Sequence, residues 1–178
     1  MFKNIIGHLK TVLTHKWYVF VLMAKSGYIW RGITHDLSKF SPVEFCESVK
    51  YYTGTISPIV KCKEANGYSL AWQHHKGRNP HHYEYWVDYL DDGGKPIKIP
   101  YKYVIELVCD YIAAGKAYNK SKFTYKGEYE WLKNKFNVEH PKIHEETKEF
   151  IARCMDWFAA NEKFDPKAFR HIHIMMNY

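Results

Sequence analysis

The 178-residue chain has no CxxC pair, no block of like charge, no long apolar run and no sustained strand-like alternation. Its four cysteines, Cys46, Cys62, Cys109 and Cys154, stand far apart. That spacing excludes a thiolate zinc site and reads as free thiols in a reducing compartment. Without five like charges in a row, a basic or acidic tail is excluded too. The most apolar segment, 17–24, is too short to span a bilayer. It follows His8, Lys10, His15 and Lys16 without a small-x-small cleavage pattern, so neither a signal peptide nor a membrane partner is expected, and the cytoplasm is the expected location. With no alternation of useful length and no internal repeat, the expected fold is an all-α helical bundle formed by one domain over residues 1–178.

What is present suits a packed core. Hydrophobic residues make up 46% and aromatics 17%, which excludes disorder, and the length suits a single domain. The net charge of +7, with a pI near 9.1, biases the surface towards polyanions such as nucleotides, nucleic acids or acidic membranes.

Helical periodicity marks the elements. Residues 3–25 form a first helix, stopped at Gly27, with Ile5, Ile6, Leu9, Val12, Leu13, Trp17, Phe20, Val21 and Ala24 as its core face. His8 and His15 share one face of it, and His15 lies in the more apolar half. A short helix over 28–36 delivers His35 and Asp36 at its end. Ser41, Pro42 and Glu44 spell an N-cap, a first-position proline and a capping box for a helix over 42–52. Residues 55–67 read as a loop or broken helix, 68–75 and 81–90 as helices, and 91–96 as a loop. The strongest internal helix spans 100–118, with Asp110 inside its apolar pattern. Weaker or terminal helices follow over 127–136 and 141–161, then after Asp165-Pro166.

Chemistry-bearing residues concentrate around His35-Asp36. An ionised carboxylate on an apolar helix face needs a partner or a metal, which makes Asp110 informative. His74-His75 and His81-His82 bracket Arg78, whose planar guanidinium suits a phosphate. Lys39, four residues after His35, could hold a phosphate oxygen as a point charge. Glu44 and Glu47 are either extra ligands, a general base or, for Glu44, simply a helix cap. Imidazole nitrogens with carboxylate oxygens suit manganese, iron, zinc, nickel or cobalt, and magnesium where oxygen donors dominate. Trp72, Tyr83 and Trp86 are either a stacking surface for a base or core. His140, His144, His171 and His173 read as surface or core histidines.

The order His15, His35-Asp36, His74-His75, Asp110 resembles the HD-domain superfamily of metal-dependent phosphohydrolases. His35-Asp36-Leu37-Ser38-Lys39 looks like that superfamily's HD-x-x-K segment, and Cys109-Asp110-Tyr111-Ile112 like its closing helix. More narrowly, HDLSKFSPxEF followed by HHxxRNPHHxxYW resembles a family of small, functionally uncharacterised bacterial and phage proteins. The superfamily resemblance implies an HD-domain-like helical bundle in which His15, His35, Asp36 and Asp110 bind a first divalent metal. It also implies that His74 and His75, with His82 or His81, serve a second metal or the phosphate. The sequence departs from dinuclear members in having no histidine between positions 37 and 73.

The implied reaction is metal-dependent hydrolysis of a phosphate mono- or diester. A phosphorylated small molecule, a nucleotide above all, would be the substrate, and Asp36, Lys39, Arg78 and Asp110 the catalytic group. The alternative is a non-catalytic metal-binding helical protein with a nucleic acid or protein partner.

Overall fold

Two histidines help to define the buried face of the first helix. In a computed structural model that describes residues 2–89 and 93–178, α1 (Phe2–Lys25) buries His8, Val12, His15, Val19, Leu22 and Met23. These positions follow the three-and-four spacing of one helix face. The face centred on apolar residues alone is therefore rotated from the true one. Ile6, Leu13 and Trp17, expected in the core, are exposed, Trp17 by 61%. The helix turns its imidazoles inward and leaves these large side chains at the surface.

Eight further helices follow among the described residues: α2 (Ile29–Thr34), α3 (Pro42–Lys50), α4 (Pro58–Asn66), α5 (Leu70–Arg78), α6 (Tyr101–Asn119), α7 (Tyr125–Glu139), α8 (Glu145–Asn161) and α9 (Lys167–Met176). The all-α reading holds. Helix α1 packs along α6 and α2, α3 along α5, and α8 against α7 and α9. The core between α1, α6, α8 and α9 is made of fully buried apolar side chains, including Val19, Val108, Ile112, Phe150, Phe158 and Ala168. Cys62, Cys109 and Cys154 are buried free thiols, while Cys46 is exposed. No helix among the described residues is long and apolar enough to cross a membrane.

Local chemistry explains where the elements depart from expectation. Residues 58–66 form a regular helix because Pro58 suits its first turn and Gly67, at φ +79°, closes it in the left-handed region. Residues 81–90 are not a helix. A 3-10 turn, Tyr83–Trp86, leads into β1 (Val87–Asp88), which pairs antiparallel with β2 (Lys95–Pro96). The indole Nε1 of Trp86 donates to the Pro80 carbonyl at 2.6 Å and holds the chain in this turn. Leu90, Asp91 and Asp92, expected at a helix end and a loop start, lie outside the described residues.

Gly32 sets how closely α2 approaches α1. A Cβ at this position would lie 3.1 Å from both Phe20 Cα and Met23 Cβ. Gly32→Val is expected to cost about 1–3 kcal/mol by overpacking this contact, measured as a lower urea midpoint for unfolding.

Candidate metal centre

Four helices and two turns deliver the cluster. His15 comes from α1, His75 from α5, and Glu106 and Asp110 from successive turns of α6. His35 ends α2, and Asp36 follows in the left-handed region at φ +51°, ψ +34°. Adjacent side chains on a helix diverge by about 100°. The reversal at Asp36, a residue type that tolerates this conformation, brings both side chains to one place. His81 and His82 follow the Asn79-Pro80 turn, with His82 in extended backbone.

The result is three groups of ligand-type atoms: His35, His81 and Glu106 form one, and the other two share Asp36. Of these two, the first comprises His15, His35, Asp36 and Asp110; the second Asp36, His75, His81 and His82. Within each, one donor atom per residue lies within 4.8 Å of every other. His15 Nε2 is 3.0 Å from Asp110 Oδ1, and His35 Nε2 is 3.4 Å from that oxygen and 3.2 Å from Asp36 Oδ2. On the other side, Asp36 Oδ1 faces His75 Nε2 at 3.4 Å and His81 Nε2 at 3.5 Å. Each oxygen of Asp36 thus faces its own group.

Outer carboxylates orient the imidazoles. His35 Nδ1 donates to Glu106 at 2.9 Å, and Glu106 is itself gripped by Arg31 through Nε at 2.8 Å and through Nη2. His75 Nδ1 donates to Glu44 at 2.7 Å. With Nδ1 committed to a carboxylate, Nε2 is the nitrogen left for a ligand bond, the usual arrangement behind metal-binding histidines.

The residues fit a metal. His15 Nε2, His35 Nε2, His81 Nε2, His82 Nε2 and Asp36 Oδ1 are buried and make no hydrogen bond among the described residues, and Asp36 Oδ2 meets the Lys39 ammonium at 2.6 Å. Buried polar atoms are ordinarily satisfied, so their convergence has a physical meaning. Two donors bound at about 2.1 Å to one ion lie about 3.0–3.4 Å apart in tetrahedral or octahedral geometry. The His15, His35, Asp36 and Asp110 contacts have that spacing. These buried groups could hold a metal ion.

Electrostatics sharpen the fit. Burial disfavours the Asp36 anion, but His35, Lys39, His75 and His81 outweigh it and hold the carboxyl well below its ordinary range. Burial and neighbouring positive charge lower His15, His81 and His82, His81 to about 4, so these imidazoles are neutral and ready to ligate. His35 is the exception. Burial would lower it, but Asp36, Asp110 and Glu106 raise it well above 6.5, so a metal bound here would have to displace its proton.

A cleft of about 510 Å³ opens onto the first group and is lined there by His15, Lys39 and Asp110. Lys39 Nζ lies 2.6 Å from Asp36 Oδ2, and among the described lining residues it is the one lysine or arginine. The other walls are largely apolar, with Val12, Ile56, Pro58, Ala114, Tyr118 and Trp131.

Several residues stand elsewhere than the spacing suggests. His74 belongs to none of the groups; its Nδ1 donates to Glu44 at 2.6 Å, and His81 takes the place expected of it. Arg78 is exposed at the end of α5 and outside the cleft lining. Ser41 does cap α3, accepting from the Glu44 amide, but the Glu44 carboxylate turns to His74 and His75. Glu47 caps α5 through the Leu70 and Ala71 amides. Trp72 packs on His82 and Tyr83 is buried, so the aromatics of the cleft are Tyr118 and Trp131. Glu106 was not singled out from the sequence. It sits one turn before Asp110 in the same apolar pattern, where the argument made for Asp110 applies equally.

Fold and site together define an all-helical domain built around a buried cluster of histidines and carboxylates, open to a cleft. The chain belongs to the DUF5662 family, a family of unknown function, which it matches over residues 4–157. No curated protein and no solved structure matches it.

The metal-free protein has a defined pH response. His8 and His81, both lowered to about 4 chiefly by burial, stay neutral in the fold while an unfolded histidine takes up a proton near 6.5. The unfolded state therefore binds more protons between these values, and stability is lost as pH falls from 6.5 to 4. His35 has the opposite sign, its contribution being complete below 6.5 and lost as pH rises through its raised value. Below about 4, protonation of Asp36 and Asp110, both lowered, removes more stability. The melting temperature of the chelator-treated protein is expected to drop between pH 6.5 and 4; a flat profile would contradict the burial of neutral imidazoles.

Proposed function

We propose that the protein is a metal-dependent phosphohydrolase that binds two divalent ions, one in each group that contains Asp36, and cleaves a phosphate mono- or diester, a nucleotide being the expected substrate class. The observation that carries this reading is the shared Asp36, whose two oxygens face two sets of imidazole nitrogens, the first of them beside a cleft. Sites that hold two ions recur in phosphoester hydrolysis. The resemblance of the H…HD…D order to the HD-domain superfamily supports the same reading.

His15, His35, Asp36 and Asp110 would hold one ion, and Asp36, His75, His81 and His82 the other. When bound, such ions lower the pKa of a water towards neutrality and polarise a phosphoryl oxygen. The chain's own groups do the rest. Lys39, at the cleft, places positive charge where the phosphate gathers negative charge. Asp110, which both belongs to the cluster and lines the cleft, accepts a hydrogen bond from the attacking water and orients it. Glu44 and Glu106 hold His75 and His35 in register. Among N, O donors of this kind, manganese, iron, zinc, nickel and cobalt are all candidates, and magnesium is the least suited to a set so rich in imidazole.

The test is to strip the protein with a chelator, reload it with each ion in turn, measure bound metal and assay a phosphoester panel. Turnover should vanish on stripping, return with at least one ion and be lost in Asp36→Asn. Stoichiometric metal with no ester cleaved would favour the non-catalytic metal protein, and failure to retain any of these ions would overturn both readings. Glu106→Gln should weaken metal binding by about 10- to 100-fold, read by competition with a chromophoric chelator.

A further inference from the structure

The cleft has a second polar end that the metal cluster does not use. Glu128, in the first turn of α7, is 6% exposed and lines the same cleft as His15, Lys39 and Asp110. We propose that Glu128 is a specificity-determining residue that hydrogen-bonds a hydroxyl or N–H group on the organic part of a phosphorylated substrate. This rests on the phosphohydrolase reading, which places the phosphate at Lys39 and Asp110.

Four observations point to a ligand for this carboxyl. It has no hydrogen bond or ion pair among the described residues, and burial alone, with no facing cation, lifts it to about 7. It is not needed as a helix cap. The first amides of α7 already have acceptors, Tyr125 and Lys126 in the Glu162 carboxylate and Gly127 in the Thr124 hydroxyl, each at 3.0 Å. Its seat is shaped for it, because a Cβ at Gly115 would lie 1.9 Å from Glu128 Oε2, so only glycine lets the carboxyl rest against α6. Finally, Gly115 is five residues beyond Asp110 on that helix, an axial distance of about 7.5 Å. Asp110, Gly115 and Glu128 all line the one cleft, so a phosphate at Asp110 and the organic moiety beside Glu128 would share it.

A carboxyl poised near neutrality both donates and accepts, which suits a sugar hydroxyl or the edge of a base. Trp131 and Tyr118 add flat apolar walls near this end. A buried carboxyl without a partner is unfavourable, and a donor on the substrate would relieve it. A phosphoester lacking such a group would gain nothing from this end of the cleft.

The experiment uses the full chain loaded with Mn²⁺ and four probes: inorganic phosphate, and non-hydrolysable phosphonate analogues of phenyl phosphate, ribose 5-phosphate and adenosine 5′-monophosphate. Dissociation constants are measured by calorimetry for the wild type, Glu128→Ala, Glu128→Gln and Gly115→Ala. The wild type should bind at least one of the ribose and adenosine analogues about tenfold more tightly than the phenyl analogue. Glu128→Ala should erase that preference with metal content and phosphate binding unchanged. Glu128→Gln, which still hydrogen-bonds, should keep part of it, and Gly115→Ala, which displaces the carboxyl, should resemble Glu128→Ala. A preference already present with the ribose analogue assigns the contact to a sugar hydroxyl; one confined to the adenosine analogue assigns it to the base. Absence of any preference in the wild type, or equal weakening of all probes in Glu128→Ala, would overturn the proposal. If metal-loaded protein fails to bind phosphate at all, the phosphohydrolase reading fails and this one with it; phosphate bound without discrimination defeats the Glu128 proposal alone.

Discussion

The buried carboxylate of Asp36 is the constraint on which the centre of this protein depends. Removing an anion from water is costly unless neighbouring groups compensate. Here the compensation comes from all sides: Lys39 in ion-pair contact, His35 beside it, and His75 and His81 opposite. These partners arrive on α2, the following 3-10 turn, α5 and the turn after it. The packing of these segments is therefore inseparable from the electrostatics of one side chain. The left-handed backbone at Asp36 belongs to the same constraint, since it aims the carboxylate inward directly after His35.

Around this centre lies a ring of carboxylates with a different task. Glu44 receives two adjacent imidazoles, His74 and His75, while Glu106 receives His35 and is tied to Arg31. Arg31 in turn lies over the Tyr103 ring at 4.2 Å. Each inner imidazole so held has a fixed tautomer and a fixed direction, which is what separates a ligand from a merely buried histidine. The cleft meets this ordered region at Asp110, Lys39 and His15, so these are the members of the cluster that a ligand in the cleft would reach first.

Much of this was legible in the chain itself. An all-helical architecture followed from the absence of alternation, and α6 from its unbroken apolar pattern. His15, His35, Asp36 and Asp110 could be listed in advance, and they come together as one group. What misled was the treatment of histidine as polar. Discounting His8 and His15 rotated the assumed core face of α1 and placed Trp17 inside, where it is not. Between positions 70 and 82 the histidines could be counted but not assigned, because α5 ends at Arg78 and a turn redirects the chain. That change of direction brings His81 and His82 inward, while His74, on α5 itself, meets Glu44 and Arg78 is exposed at the helix end.

The sequence by itself marked most of the helices and supplied every donor, because helix spacing, caps and residue chemistry are local properties. Which nitrogen of each imidazole faces inward, which carboxylates stand at the centre of the cluster and which stand behind it, and which cation meets the cleft were decided by the tertiary structure. Those outcomes depend on contacts across the chain, such as Glu44 with His75 and Glu106 with His35. Linear spacing carries no record of such contacts, because each is set by how two helices pack and not by either helix alone.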